Sequence, residues 1–195
     1  MKRYSVALAM LASITMMSLV LSSCDSIIDA ASISVPMTVT LSGESTNASI
    51  PKTEESCSDL TSQKTFNDNV ARIRGGSISD LTLRITDLTN PTFTSGTLAS
   101  QVFSRVTLTL RFDPSYGDTR VYKLGEFTNV SLADLMSAPR SLALHSDAND
   151  AIAKMATQPK FCVTTDYGAF ASGPAQADYI RAVVEMTLKF EARTL

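Results

Sequence analysis

Apolar and polar residues alternate with a period of two along four stretches of the chain, the mark of strands with one buried face. In "SISVPMTVTL" (32–41), Ile33, Val35, Met37, Val39 and Leu41 share one face, with Ser34, Thr38 and Thr40 opposite. Pro36 cannot donate to a ladder, so this strand lies at a sheet edge or begins after the proline. "SDLTLRIT" (79–86) turns Leu81, Leu83 and Ile85 to one side. "SRVTLTLRF" (104–112) sets Val106, Leu108, Leu110 and Phe112 against Arg105, Thr107, Thr109 and Arg111. The clearest run is "ADYIRAVVEMTLKFEA" (177–192), where Ile180, Ala182, Val184, Met186, Leu188, Phe190 and Ala192 alternate with mostly charged residues. No helical period fits it.

Weaker strands are predicted at "VARIRG" (70–75), "RVYKLG" (120–125) and "KFCVTT" (160–165). Turn signals separate the strands at Gly75-Gly76, Asn90-Pro91, Asp113-Pro114 and Gly117-Asp118. Two short helices are predicted between strands. "SLADLMS" (131–137) carries Leu132, Leu135 and Met136 on one side, and "SDANDAIAKMATQ" (146–158) starts at a Ser146/Asp147 cap. About seven one-sided strands must bury their faces against each other. The expected fold is therefore mostly β, an antiparallel β-sandwich with one or two short connecting helices. A closed β-barrel satisfies the same alternation and is the alternative. The body resembles the immunoglobulin-like domains of exported proteins in general pattern alone, and it lacks tryptophan, that family's central core residue.

The N-terminus has a different pattern. Met1-Lys2-Arg3 precedes the apolar run "VALAMLASITMMSLVL" (6–21), and no acid occurs before Asp25. A basic start followed by such a run is the pattern of a secretory signal peptide. Sixteen helical residues reach about 24 Å, short of the ~30 Å hydrocarbon core. The run ends in Leu21-Ser22-Ser23-Cys24. That tetrad resembles the lipobox of bacterial lipoproteins: an aliphatic residue, two small residues, then cysteine. The resemblance implies a diacylglyceryl group on the Cys24 thiol and cleavage between Ser23 and Cys24. It divides the chain into a signal peptide (1–23), a lipidated cysteine with a short tether (24–32) and one sandwich domain (33–195). It also implies two or three acyl chains, enough for a lasting anchor, since each buried methylene contributes about 0.8 kcal/mol. The expected location is the bacterial cell envelope, the outer membrane or surface somewhat ahead of the inner membrane. Asp25 after the cysteine resembles the inner-membrane retention signal of enteric bacteria, a rule that other bacterial groups do not follow.

Cleavage would take Lys2 and Arg3 from the 17 basic residues and nothing from the 19 acidic ones, leaving a charge of about −4. A mildly acidic chain without basic clusters is a poor nucleic-acid binder, and none is expected as a partner. The expected partners are the membrane, through the anchor, and envelope proteins or a surface glycan. No cofactor is expected beyond the covalent lipid on Cys24. With Cys24 lipidated, Cys57 and Cys162 remain, a candidate disulfide in an exported protein, with two free buried thiols as the alternative.

Catalytic motifs are sparse. The sequence has no Gly-x-Ser-x-Gly elbow, no His-Glu-x-x-His and no phosphate loop. His145 is the single histidine, placed just before a helix start, where it orients a nucleophile or is simply a polar loop residue. Asp147, Asn149 and Asp150 offer oxygens to calcium without the EF-hand order, and helix capping explains Asp147 with no metal. Asp113 and Asp118 read as turn residues, and Glu54-Glu55 as a solvated pair beside Cys57. No metal site and no catalytic residue is expected. The candidate ligand loop is "TTDYGAFASG", where Asp166, Tyr167 and Phe170 could stack on a sugar ring or grip a peptide; the same aromatics could instead close the sandwich. The expected function is thus a non-catalytic binding or structural role in the envelope. The alternatives are a lipid-anchored carrier of an apolar ligand and, less favoured, a carboxylate-dependent hydrolase.

Overall fold

The computed structural model describes residues 31–44, 55–89, 101–167, 170–172 and 179–193. Two antiparallel sheets face each other, with no closed barrel among these residues. The first sheet runs in the order β1 (Ala31–Glu44), β10 (Tyr179–Ala192), β3 (Ile73–Thr89) and β6 (Arg140–Ser141). The second runs β2 (Ser56–Asp59), β8 (Lys160–Tyr167), β4 (Val102–Phe112), β5 (Val121–Ser131) and β7 (Ala143–Leu144), with β9 (Phe170–Ser172) also paired to β4. Among the described residues, three short helices connect strands: α1 (Lys64–Asn67), α2 (Leu132–Ser137) and α3 (Asp147–Lys154).

The alternation read from sequence is the alternation of burial. Ile180, Ala182, Val184, Met186, Leu188, Phe190 and Ala192 of β10 all face the core, as do Val106, Leu108, Leu110 and Phe112 of β4. Strand β1 pairs with β10 from Ala31 opposite Ala192 to Glu44 opposite Tyr179, and among the described residues no strand pairs with its other side. Pro36 sits on that edge strand, where its missing N–H costs the sheet least. Ala31, Ala192 and Ile73 form the last row at one end of the first sheet; Glu44, Tyr179 and Thr89 form the row at the other.

Gly75-Gly76 is not a turn. Residues 70–72 form a 3-10 turn, and β3 starts at Ile73 and runs through both glycines to Thr89. The glycines serve close packing instead. A Cβ on Gly76 would stand 2.6 Å from Cγ2 of Ile152 on α3 and 3.0 Å from the Phe190 ring. The bare backbone lets α3 press onto the first sheet, and Ala148, Ala151 and Ile152 are fully buried there. Strand β5 likewise continues past the expected end at Gly125, whose missing Cβ leaves room for the Ala143 carbonyl of β7 at 2.9 Å.

Helix α2 begins as expected, with the Ser131 hydroxyl accepting the Asp134 N–H at 3.0 Å. Helix α3 does not: Ser146 is its N-cap residue without a side-chain bond, and Asp147 lies in the first turn.

Candidate functional site

The densest group of ionisable side chains lies where α3 meets the foot of β5. Asp113 caps a 3-10 turn at Pro114–Tyr116 by accepting the Ser115 N–H at 2.8 Å, and Gly117, at φ 74°, closes it. That turn delivers Asp118 to a focus of three donors: the Arg120 N–H at 3.0 Å, the Tyr122 hydroxyl at 2.9 Å and the Lys154 ammonium at 2.7 Å. Lys154 also donates to the Tyr122 oxygen. The Tyr122 ring is fully buried, edge-on to Phe112, with the Arg120 guanidinium 4.6 Å from its centre. Arg120 in turn binds Asp147 at 3.0 Å. His145 Nδ1 accepts the Asp147 N–H at 3.3 Å and lies 3.6 Å from its carboxylate.

Asp118 and Asp147 each face a cation, Lys154 and Arg120. The Lys154 ammonium, with the Arg120 N–H and the Tyr122 hydroxyl, holds the Asp118 carboxyl well below the usual range, at about 2. A carboxyl held so low keeps no proton to give near neutrality, so Asp118 is unsuited to general-acid work. Among the described residues, the side-chain bonds of His145 go to Asp147, not to a hydroxyl or thiol nucleophile. The arrangement clamps α3 to the second sheet. Asp118 is therefore more than the turn residue its sequence suggests, and Asp147 is an ion-pair partner rather than a helix cap.

A second group lies at the β2 corner. Cys57 of β2 and Cys162 of β8 are directly opposite each other and form a disulfide across 105 residues of sequence. Arg111 of β4 is the next cross-strand neighbour of Cys162 and makes a two-pronged pair with Glu55. That hydrogen-bonded guanidinium holds the Glu55 carboxyl below its ordinary value. Glu55, half of the pair expected to be solvated, is thus ion-paired; Glu54 lies outside the described residues. Surface clefts of about 320 and 340 Å³ flank the disulfide, the second between Pro36–Thr38 of β1 and Cys57–Asp59 of β2. The Glu55, Cys57 and Cys162 donor atoms lie within 4.8 Å of one another. With both sulfurs bonded together and the carboxylate held by Arg111, the set does not fit a metal ion.

Of the candidate ligand-loop residues, Asp166 and Tyr167 have described side chains. Asp166 and Tyr167 belong to β8, and the Tyr167 ring is buried against Phe103, centroids 5.4 Å apart. A ring in the core cannot stack on a ligand, and burial pushes its phenol well above the ordinary range, with the Thr165 hydroxyl as a lesser, opposing influence. Phe170 belongs to β9. The tetrad Leu21-Ser22-Ser23-Cys24 lies outside the described residues. Asn149 and Asp150 are exposed along α3, and neither joins Asp147 in a group that could hold a metal ion among the described residues. Sequence reading missed Arg120, Tyr122 and Lys154. The two-residue spacing of Arg120 and Tyr122 was visible, but nothing marked Lys154, 36 residues from Asp118, as their partner.

No protein-family model matches the chain, and no curated protein matches it. Among solved structures, one of the mud crab tombus-like virus aligns at 10% identity over 85% of this chain and 91% of that chain, with a TM-score of 0.29. One of the Desmodium yellow mottle tymovirus aligns at 12% identity over 85% and 90%, TM-score 0.25. One of tobacco necrosis virus aligns at 9% identity over 86% and 98%, TM-score 0.26. At such scores the likeness carries no argument about function. Neither these comparisons nor the two side-chain groups give positive support for catalysis. Among the described residues no helix is long and apolar enough to cross a membrane.

Proposed function

We propose that the chain is a lipid-anchored protein of the bacterial cell envelope whose β-sandwich has a non-catalytic binding or structural role. The observation that carries this reading is Leu21-Ser22-Ser23-Cys24 at the end of a basic-then-apolar leader, with residues 25–30 as the link to β1 at Ala31. A disulfide across strands β2 and β8 agrees with an oxidising compartment outside the cytoplasm. The neutralised acids, Asp118 with Lys154, Asp147 with Arg120 and Glu55 with Arg111, support a structural rather than a catalytic use of charge. An apolar-ligand carrier is less well supported, because Phe103, Phe112, Tyr122, Phe161 and Phe190 occupy the space between the sheets.

The test is fractionation of cells that express the wild-type chain or Cys24→Ala. The wild type is expected to sediment with membranes, resist salt and alkaline washes, and leave only with detergent. Cys24→Ala is expected to lose that behaviour. A variant that stays equally resistant to washing would remove the lipid anchor from the account.

A further inference from the structure

We propose that the cleft between β5, α2 and β6 binds a neutral saccharide unit, with Asp134, Arg140 and Asn129 taking its hydroxyls and Phe127 its apolar face. The inference rests on the binding half of the reading above, to which it adds a site and a class of ligand, and it does not depend on the anchor. Three observations carry it: the place of the cleft, its unpaired polar side chains and the balance of its charge.

Strand β6 belongs to the first sheet and β7 to the second, so the chain crosses between the sheets at the buried Leu142. Strand β7 covers the edge of β5 at Gly125 and Glu126, and among the described residues no strand pairs with that edge from Phe127 onward. The space left there is a cleft of about 530 Å³, bounded by Asp134 of α2 and by Pro139, Arg140 and Ser141. That size falls within the usual range of small-molecule sites. Phe127 is half-buried: it packs against the core and also lines the cleft. Asn129 stands at φ 51°, a left-handed conformation uncommon outside glycine. The kink breaks the extended edge of β5, so a peptide cannot add there as a further strand. A compact ligand suits the cleft, and residues held in sparsely populated backbone regions gather at ligand sites.

Among the described residues, no hydrogen bond or ion pair engages the side chains of Thr128, Asn129, Asp134, Arg140 or Ser141. Asp134 is bonded through its backbone alone, its N–H to the Ser131 hydroxyl and its carbonyl to that of Ser137. The cleft thus offers an acceptor in Asp134, a donor in Arg140 and both in Asn129. A sugar hydroxyl donates and accepts at once, and the C–H faces of the ring are apolar, which suits Phe127. The charges disfavour other classes of ligand. A phosphate or sulfate that meets Arg140 also meets the Asp134 carboxylate, and a cation meets Arg140. An apolar ligand would strip water from both charges and put nothing in its place. The surroundings are mixed in sign as well. Lys123 is paired with Glu126, Arg84 and Asp80 lie on β3 close to the partners of β6, and Arg105, opposite Thr128, does not line the cleft. A neutral ligand loses nothing in so mixed a field, whereas an ion gains little.

The experiment uses the full chain in a detergent without a sugar headgroup, titrated by ligand-observed NMR. The probes are the neutral disaccharides maltose, cellobiose and chitobiose, with glucuronate and glucose 6-phosphate as charged ones. The expected result is saturable binding of at least one disaccharide and weaker binding of both charged probes. Asp134→Ala and Arg140→Ala are each expected to weaken it by about tenfold, the loss of one hydrogen bond to a charged group. Asn129→Gly keeps the left-handed backbone, removes the amide and is expected to weaken binding severalfold. Gln63→Ala, in the cleft beside the disulfide, is the control and is expected to leave binding unchanged. A thermal midpoint for each variant separates loss of the site from loss of the fold. Saturable binding of none of the three disaccharides, binding that survives all three substitutions in the cleft, or a preference for the charged probes would overturn the site. The intact mass of the same preparation keeps the two ideas apart. A lipidated chain that binds no disaccharide overturns the saccharide site alone, whereas a chain that binds without lipid on Cys24 upholds the site and removes the anchor.

Discussion

Lys154 on α3 and Asp118 at the foot of β5 stand 2.7 Å apart, 36 residues apart in sequence, and join the helix that closes the sandwich to its second sheet. Tyr122 completes the triangle, donating to Asp118 and accepting from Lys154. A helix whose other face lies on Gly76 of the first sheet is thereby fixed on both sides.

The clamp gives the stability a direction in pH. Asp118 is held at about 2, chiefly by Lys154, below an ordinary value of 3.8. A depressed carboxyl contributes fully above its unfolded value and loses that contribution as pH falls through its folded one. Asp118→Asn is therefore expected to melt several degrees below wild type at pH 7, with the gap closing between about pH 4 and pH 2. Thermal midpoints of both proteins across that range check it, and a gap independent of pH would contradict it.

Gly76 is predicted to tolerate no side chain. Gly76→Ala drives a methyl toward Ile152 and the Phe190 ring, and overpacking of this kind costs about 1–3 kcal/mol. Trimming the partner, as in Gly76→Ala with Ile152→Ala, should show less than the sum of the two single losses in denaturant unfolding. Strict additivity would mean that the two residues are not in the contact described.

The Cys57–Cys162 bond closes a long loop and holds the four-residue strand β2 at a sheet edge. Its loss, by reduction or by Cys57→Ser with Cys162→Ser, is expected to cost about 2–5 kcal/mol. Reductant should lower the denaturant midpoint of the wild type and leave the double variant unchanged. Equal sensitivity in both would show that the effect lies elsewhere.

Tyr167 separates packing from binding. Tyr167→Ala removes a buried ring from Phe103 and is expected to destabilise by about 3 kcal/mol or more, read as a lower unfolding midpoint. An unchanged midpoint would return the ring to the surface.

Strands with strict alternation, such as 104–112 and 180–190, were legible because burial of one face imposes its period on the sequence. Glycine was misread at 75–76, because the same residue permits a turn and a close backbone approach, and only the opposing surface decides which. Strand β2 was missed because four residues are too short to show a period, and because their place follows from pairing with β8 rather than from local preference. The place of Tyr167 was hidden for a related reason. Tyr167 reads as the start of a glycine-bounded loop, yet it continues the alternation of β8 by facing the core. The clamp was illegible because no local pattern records that residue 118 meets residue 154.

The most direct test of the whole account is the intact mass of the protein extracted from bacterial membranes with detergent. The account predicts a chain that begins at Cys24 and carries the added mass of a diacylglyceryl group, with or without a further acyl chain on the new N-terminus. It also predicts that the species disappears in Cys24→Ala. A mature protein that starts elsewhere, or that starts at Cys24 with a free thiol, would contradict it.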